Sequence, residues 1–300
     1  MKARGKIMHL RVILAIISFI LMNLRFFEPW IRAGVTGISL PVLNCFSMGV
    51  MIVVNKPSST VVCAMGALQR MLARGQVPLL VIGSLLVIGA ILGRAFCGWI
   101  CPFGLIQEFL WRIAGKKNKI PIEVSFLQDA VLLVVLLTTV LYGLSTAGMI
   151  FLKLPTYGNI IDETFYEGPF CSFCPSATLL IILPSRILEA VYTGVVTLTP
   201  WAILRIAIVA IILFLSLITP RPFCRWICPL GVLMGYFNKV SVLTIKRNSE
   251  ICVNCRLCEI ECPMNIDITS YDKLTTKRCI KCMSCVNVCA KKALRLEVNK

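Results

Sequence analysis

Histidine is almost missing from this chain. His9 is the single one, so no pair of imidazoles exists to hold a b-type haem. No Gly-x-Gly-x-x-Gly run marks a nucleotide site, and no segment reads as a flavin domain. No general acid–base pair or activated nucleophile is visible, so no independent catalytic site is expected. Charge is also sparse, at 15% of residues against 58% apolar ones. Much of the chain must therefore face something other than water.

What is present in quantity is long apolar sequence. Val77–Gly93 and Ala130–Leu152 carry no charge and are long enough to cross a bilayer. Val12–Leu24 is shorter, but Arg11 and Arg25 at its edges can snorkel. Pro200–Thr219 contains Arg205 and is otherwise uncharged; an arginine within a span reads either as functional or as snorkelling. Four spans are predicted. Met1–Leu24 has the charged start and apolar run of a signal peptide, yet no small-x-small pattern follows, so an uncleaved first span is expected. Ser176–Leu183 is too short to cross before Pro184 and is expected to be re-entrant or buried.

The net charge of +17 follows the spans and does not read as nucleic-acid chemistry. Lys2, Arg4, Lys6 and Arg11 precede the first span, Arg94, Arg112, Lys116, Lys117 and Lys119 lie between the second and third, and fourteen Lys and Arg follow Pro220. After the third span, Asp162, Glu163, Glu167 and Glu189 face only Lys153 and Arg186. The positive-inside rule then predicts a multi-pass protein of the cytoplasmic membrane with both termini in the cytoplasm. Arg32, Lys56, Arg70 and Arg74 in the first outer segment run against that rule.

One stretch is written twice. Arg94-Ala95-Phe96-Cys97-Gly98-Trp99-Ile100-Cys101-Pro102-Phe103-Gly104 recurs as Arg221-Pro222-Phe223-Cys224-Arg225-Trp226-Ile227-Cys228-Pro229-Leu230-Gly231, with eight of eleven positions identical. Each copy follows an apolar segment, and each places a proline, a helix-start signal, directly after a cysteine. Two related halves are expected, residues 1–120 and 121–247, each delivering one cysteine pair to the cytoplasmic face. Cys97, Cys101, Cys224 and Cys228 are the predicted ligands of one shared iron–sulfur centre, with zinc ligation, separate redox roles and plain packing as alternatives. Arg94, Arg221 and Arg225 read either as compensation for a buried anionic centre or as an ordinary cytoplasmic charge flank. Cys45, Cys63, Cys171 and Cys174 are expected near the outer face. A second embedded centre, disulfide or thiol chemistry, and packing remain open for them.

The tail, residues 248–300, carries the strongest pattern. Cys252-x2-Cys255-x2-Cys258-x3-Cys262-Pro263 is followed by Cys279-x2-Cys282-x2-Cys285-x3-Cys289. This is two-cluster ferredoxin spacing, in which the fourth cysteine of each run serves the other cluster. Cys252, Cys255, Cys258 and Cys289 would hold one 4Fe–4S cluster, and Cys279, Cys282, Cys285 and Cys262 the other. The second run ends in Ala290 where proline is usual. The predicted fold is an α-helical membrane protein of about four transmembrane helices in two pseudo-repeats, with a C-terminal α+β dicluster ferredoxin-like domain.

The doubled Arg-x-Phe-Cys-x-Trp-Ile-Cys-Pro run, the spans before it and the paired ferredoxin motifs resemble the NapH/MauN/NosR/CcoG-type membrane polyferredoxins. In size the NapH-like architecture is nearest. The resemblance implies membrane electron transfer with a quinol pool or a cytoplasmic donor, the bilayer as surroundings, and a partner redox enzyme or electron carrier. A redox maturation or assembly factor, reducing a metal or thiol for a partner, is the rival expectation.

Overall fold

The computed structural model describes residues 2–22, 65–66, 68, 79–115, 125–146, 170, 173–194 and 200–298. Cys45, Cys63 and Cys171 lie outside the described residues.

Apolar runs without an internal proline become long helices: α1 (Lys2–Met22), α2 (Leu79–Leu92), α5 (Ser125–Thr146) and α8 (Pro200–Ile218), the last with proline at its first position. Each repeated motif becomes a short helix and a second helix after it. In the first copy these are α3 (Ala95–Trp99) and α4 (Pro102–Ile113), and in the second α9 (Pro222–Trp226) and α10 (Pro229–Tyr236). Between the copies lie α6 (Pro175–Ala177) and α7 (Leu183–Thr193). By length and composition, Pro200–Ile218 is long and apolar enough to cross a membrane; Ile7–Ile20, Val81–Leu92 and Phe126–Leu141 are shorter apolar stretches among the described residues.

The chain packs as two units. The first comprises Met1–Ile17, Leu85–Leu132 and Ile212–Lys300; the second comprises Ser18–Ser84 and Leu133–Ile211. The division falls inside all four long helices, so the packing units do not coincide with the two sequence halves.

In the first unit the tail is built on a two-stranded antiparallel sheet. β1 (Leu243–Arg247) pairs with β2 (Leu294–Val298), Leu243 opposite Val298 and Arg247 opposite Leu294. β1 thus lies before residue 248, where the tail was expected to begin. Two one-turn helices, α11 (Leu257–Ile260) and α12 (Ser284–Val288), follow the cysteine loops. The tail core gathers Ile245, Met264, Ile266, Ile268, Leu274, Ile280 and Leu294 around Cys262, Cys279, Cys282 and Cys285.

In the second unit, Cys174 caps α6 with Pro175 in its first turn. The Cys174 carbonyl accepts from Thr178 N and from Thr178 Oγ1, both at 3.0 Å. The expected stop at Pro184 does not occur. Residues Thr178–Ile182 form a π-helical turn and α7 continues to Thr193, ending at left-handed Gly194. Proline has no N–H to give the preceding turn, and a π-turn absorbs that mismatch without ending the helix.

Candidate metal centres

The two motif copies share the same backbone turn at their cysteine pairs. Ile100 N and Cys101 N both donate to the Phe96 carbonyl, at 3.0 and 3.3 Å; Ile227 N and Cys228 N both donate to the Phe223 carbonyl at 3.0 Å. Cys101 and Cys228 then turn to extended backbone (ψ 107 and 108) and cap α4 and α10, each with proline next. Leu105 N reaches the Cys101 carbonyl and Val232 N the Cys228 carbonyl, both at 3.2 Å. The copies differ at their first residue. Arg221 is left-handed with φ 52, where Arg94 has φ −84; Pro222 removes the right-handed helical alternative for the residue before it.

The conserved-looking chemistry of the repeat is reciprocal. Arg94 Nη2 donates to the Cys224 carbonyl at 2.6 Å, and Arg221 Nη1 donates to the Cys97 carbonyl at 2.7 Å. The glycine ending each motif makes room for the arginine of the other copy: a Cβ on Gly104 would lie 2.8 Å from Arg221 Nη1, and one on Gly231 2.6 Å from Arg94 Nη2. Phe103 and Phe223 meet edge to face at 5.5 Å. Arg94, Arg221 and Arg225 are all buried, so they are no exposed charge flank.

Around this pair sits a buried carboxylate that the sequence reading overlooked. Glu108 Oε2 accepts from Arg221 Nη2 and Arg11 Nη2, both at 2.7 Å, and Oε1 accepts from Arg112 Nη2 at 3.0 Å. Burial opposes its ionisation, but Arg221 and Arg11 outweigh burial and hold Glu108 well below the usual carboxylate range. Arg11 also donates from Nε to the Gly98 carbonyl at 2.8 Å. The expectation that Arg11 snorkels is therefore corrected: it is buried and ion-paired, its long side chain finding a partner ninety-seven residues away.

The thiols of Cys97 and Cys224 come within electrostatic reach of each other and of both Cys101 and Cys228. Burial first, then Cys224 and Cys97, push the Cys101 thiol up to about 12. Burial, Cys224 and Cys97 likewise raise Cys228. Among the described residues, no three His, Cys, Asp or Glu converge to hold a single metal ion, as a zinc site would require. A backbone N–H points at one capping sulfur: Gly231 N lies 3.3 Å from Cys228 Sγ.

In the tail, Cys262, Cys279, Cys282 and Cys285 line one cavity together with Ile245, Met264 and Ile280. Burial and the thiols of Cys282, Cys262 and Cys279 raise the Cys285 thiol well above its ordinary value. These are the four cysteines predicted for one cluster, the fourth drawn from the other run. Of the other set, Cys252 lies within electrostatic reach of Cys258, Cys258 and Cys289 pack on the tail core, and Cys255 is exposed. The backbone repeats as well. Asn254 and Lys281, Arg256 and Met283, and Asn265 and Lys292 hold matching places in the two runs, and all six have positive φ. Left-handed residues inside such loops turn successive N–H groups inward, which makes a nest for an anionic cluster. The donor set, the cavity and the nests fit 4Fe–4S groups.

The tail loop 276–282 is seated on the repeated motifs. Asn238 Nδ2 donates to the Cys279 carbonyl at 2.7 Å and the Thr276 carbonyl at 3.0 Å, while its Oδ1 accepts from Arg94 N at 3.0 Å. Arg94 Nη1 takes the Lys277 carbonyl at 2.9 Å, and Trp99 Nε1 the Lys281 carbonyl at 3.0 Å. Lys281 is buried, and its ammonium donates to Ser241 Oγ at 2.6 Å and the Leu92 carbonyl at 3.1 Å. Two glycines allow backbone to meet backbone: a Cβ on Gly98 would run into the Ile280 carbonyl oxygen, and one on Gly235 into that of Lys277. Cys97 packs against the core that holds the second set of tail cysteines.

Comparison with known proteins agrees with this geometry. A family described as a 4Fe-4S binding domain matches residues 75–121 and 201–248, which contain the two motif copies. An uncharacterized protein of Methanocaldococcus jannaschii is 30% identical over 79% of this chain and 87% of its own length. The putative electron transport protein YccM of Escherichia coli is 25% identical over 73% of this chain and 56% of its own. The ferredoxin-type protein NapH of Haemophilus influenzae is 25% identical over 69% and 63%. The chain thus spans less than two thirds of the last two. No solved structure matches it. With its doubled cysteine motif, its two-run tail and these relatives, the chain belongs to the NapH/NosR-type family of 4Fe–4S ferredoxin-type proteins and is an iron–sulfur electron-transport protein.

Proposed function

We propose that this chain is embedded in the cytoplasmic membrane by α1, α2, α5 and α8, with both termini in the cytoplasm, and passes electrons between a quinol pool or a cytoplasmic donor and a partner redox enzyme. The exposed apolar side chains of these helices support the membrane reading: Ile13, Ile16, Leu86, Val87, Leu133, Leu137, Ile203 and Phe214 would otherwise meet water. Within the tail, Cys252, Cys255, Cys258 and Cys289 would hold one cluster and Cys262, Cys279, Cys282 and Cys285 the second. Cys97, Cys101, Cys224 and Cys228 would hold a third, inner centre.

Clusters bound at these sites supply one-electron transfer. The protein's part is to keep the sites close and fixed. The observation that carries the reading is the contact of Cys97 with the tail core, with Gly98 against the Ile280 carbonyl and the Cys282 backbone. Arg221 lies within electrostatic reach of both Cys224 and Cys282, so one buried cation serves both sites. Arg11, Arg94, Arg221 and Arg225 outnumber Glu108, and this positive excess offsets the charge of thiolate-bound clusters.

Iron and sulfide counted on anaerobically purified protein test this. The tail alone accounts for about eight irons. More than that is expected in the wild type, falling to the tail level in Cys97→Ser/Cys224→Ser. Tail-level iron in both proteins would exclude the inner centre.

A further inference from the structure

We propose that Gln107 sets the reduction potential of the inner centre by donating an amide N–H to the Cys224 sulfur; this rests on the reading of Cys97, Cys101, Cys224 and Cys228 as cluster ligands. Gln107 is fully buried on α4. Its Nε2 donates to Cys224 Sγ at 3.7 Å and to the Phe103 carbonyl at 3.3 Å. Its Oε1 accepts from Phe223 N at 3.1 Å. That last bond fixes the amide, since a flipped side chain would set N–H against N–H. A donor, and no acceptor, therefore faces the sulfur. The backbone that carries the sulfur is held as well, because Arg94 at 2.6 Å and Gln128 at 2.9 Å both bind the Cys224 carbonyl.

The bond belongs to one copy only. The backbone donor to a capping sulfur is a separate difference: Gly231 N reaches Cys228 Sγ at 3.3 Å, and the Cys101 side chain makes no capping bond. Position 107 corresponds to Met234 in the second copy, a buried residue with no N–H to give. Gln107 thus gives the Cys224 sulfur a side-chain donor that its repeat position, Met234, cannot give in return. A hydrogen bond to a thiolate strengthens as the cluster behind it gains negative charge, so it favours the reduced state and raises the potential.

Gln107→Met tests this, because methionine matches the length and is already tolerated at the paired position. In redox titration of the full-length protein followed by EPR, the inner-centre signal should move to more negative potential while the tail signals stay in place. The expected size is about a tenfold loss in the reduction equilibrium, about 59 mV for one electron. Adding Met234→Gln supplies a donor on the Cys97 side and should return the midpoint toward the wild-type value. An unmoved midpoint overturns the proposal. Loss of the inner iron overturns it too, since Gln107 would then build the site and not tune it. So does a shift that the double variant fails to reverse, which would trace to lost packing. A wild type with tail-level iron only would instead remove the inner centre itself, a distinct failure.

Discussion

Arg94 and Cys224 stand 130 residues apart in sequence, yet Arg94 Nη2 holds the Cys224 carbonyl at 2.6 Å. Arg221 does the same for Cys97. Each half of the repeat therefore orders the cysteine turn of the other half, and neither cysteine pair is held in place by its own copy alone. Gly231→Ala tests the exchange. Its methyl group would press on Arg94 Nη2, and the expected result is loss of iron from the inner site with tail iron retained. Gly104→Ala should do the same through Arg221. Unchanged total iron in both variants would show that the crossing does not organise the site.

Glu108 carries the buried ion network. Replacing it with glutamine leaves Arg11 and Arg221 buried without a counter-charge, which costs about 3–5 kcal/mol. Thermal unfolding in detergent at neutral pH should show Glu108→Gln far less stable than the wild type. The pH dependence has a definite sign. The folded protein holds Glu108 below its ordinary value of 4.5, so over that interval the unfolded chain binds more protons and stability rises with pH. The advantage over Glu108→Gln is fully present above about pH 4.5 and disappears only at pH well below it.

Gly98→Ala should unseat the tail without touching a single ligand. Any Cβ there collides with the Ile280 carbonyl, a backbone atom that cannot rotate aside. The tail clusters are expected to assemble normally, while the Trp99 to Lys281 bond is lost and the linker around Asn238 becomes open to protease. Proteolysis at the wild-type rate would show that the loop seats another way.

The exchange of fourth cysteines within the tail is also testable. Cys262→Ser should disturb the cluster held by Cys279, Cys282 and Cys285, and Cys289→Ser the one held by Cys252, Cys255 and Cys258. EPR of the reduced variants should show opposite signals lost. Loss of the same signal in both would contradict the assignment.

What the sequence disclosed and what it hid follow from the range of each interaction. The cysteine turns are local: a cysteine, a proline and a helix start lie within a few residues, so the helix starts after Cys101 and Cys228 were legible. The tail spacing is local too. Arg11 was misread because a charge at the edge of an apolar run has a ready explanation in snorkelling, whereas its partner Glu108 is ninety-seven residues on. The crossed arginines were hidden for another reason. They bind backbone carbonyls, which every residue possesses and no sequence pattern marks. The informative signal lay in the differences between the copies: Gly98 against Arg225, Gln107 against Met234, Glu108 against Gly235. Gly98 and Gly235 receive the tail loop, and Gln107 and Glu108 reach across to Cys224 and Arg221 of the second copy.

The pairing of Gly98 with Arg225 has a consequence for valency. A duplicated platform built from two like turns offers, in principle, two seats for a cluster-bearing loop. The first seat requires a residue with no side chain, because carbonyl and Cα come together there. The second has an arginine at that position, buried and bonded through Nη1 to Thr219 Oγ1 at 2.9 Å. The platform is therefore asymmetric at this position: the first turn takes the Ile280 backbone against Gly98, and in the second Arg225 fills the same place.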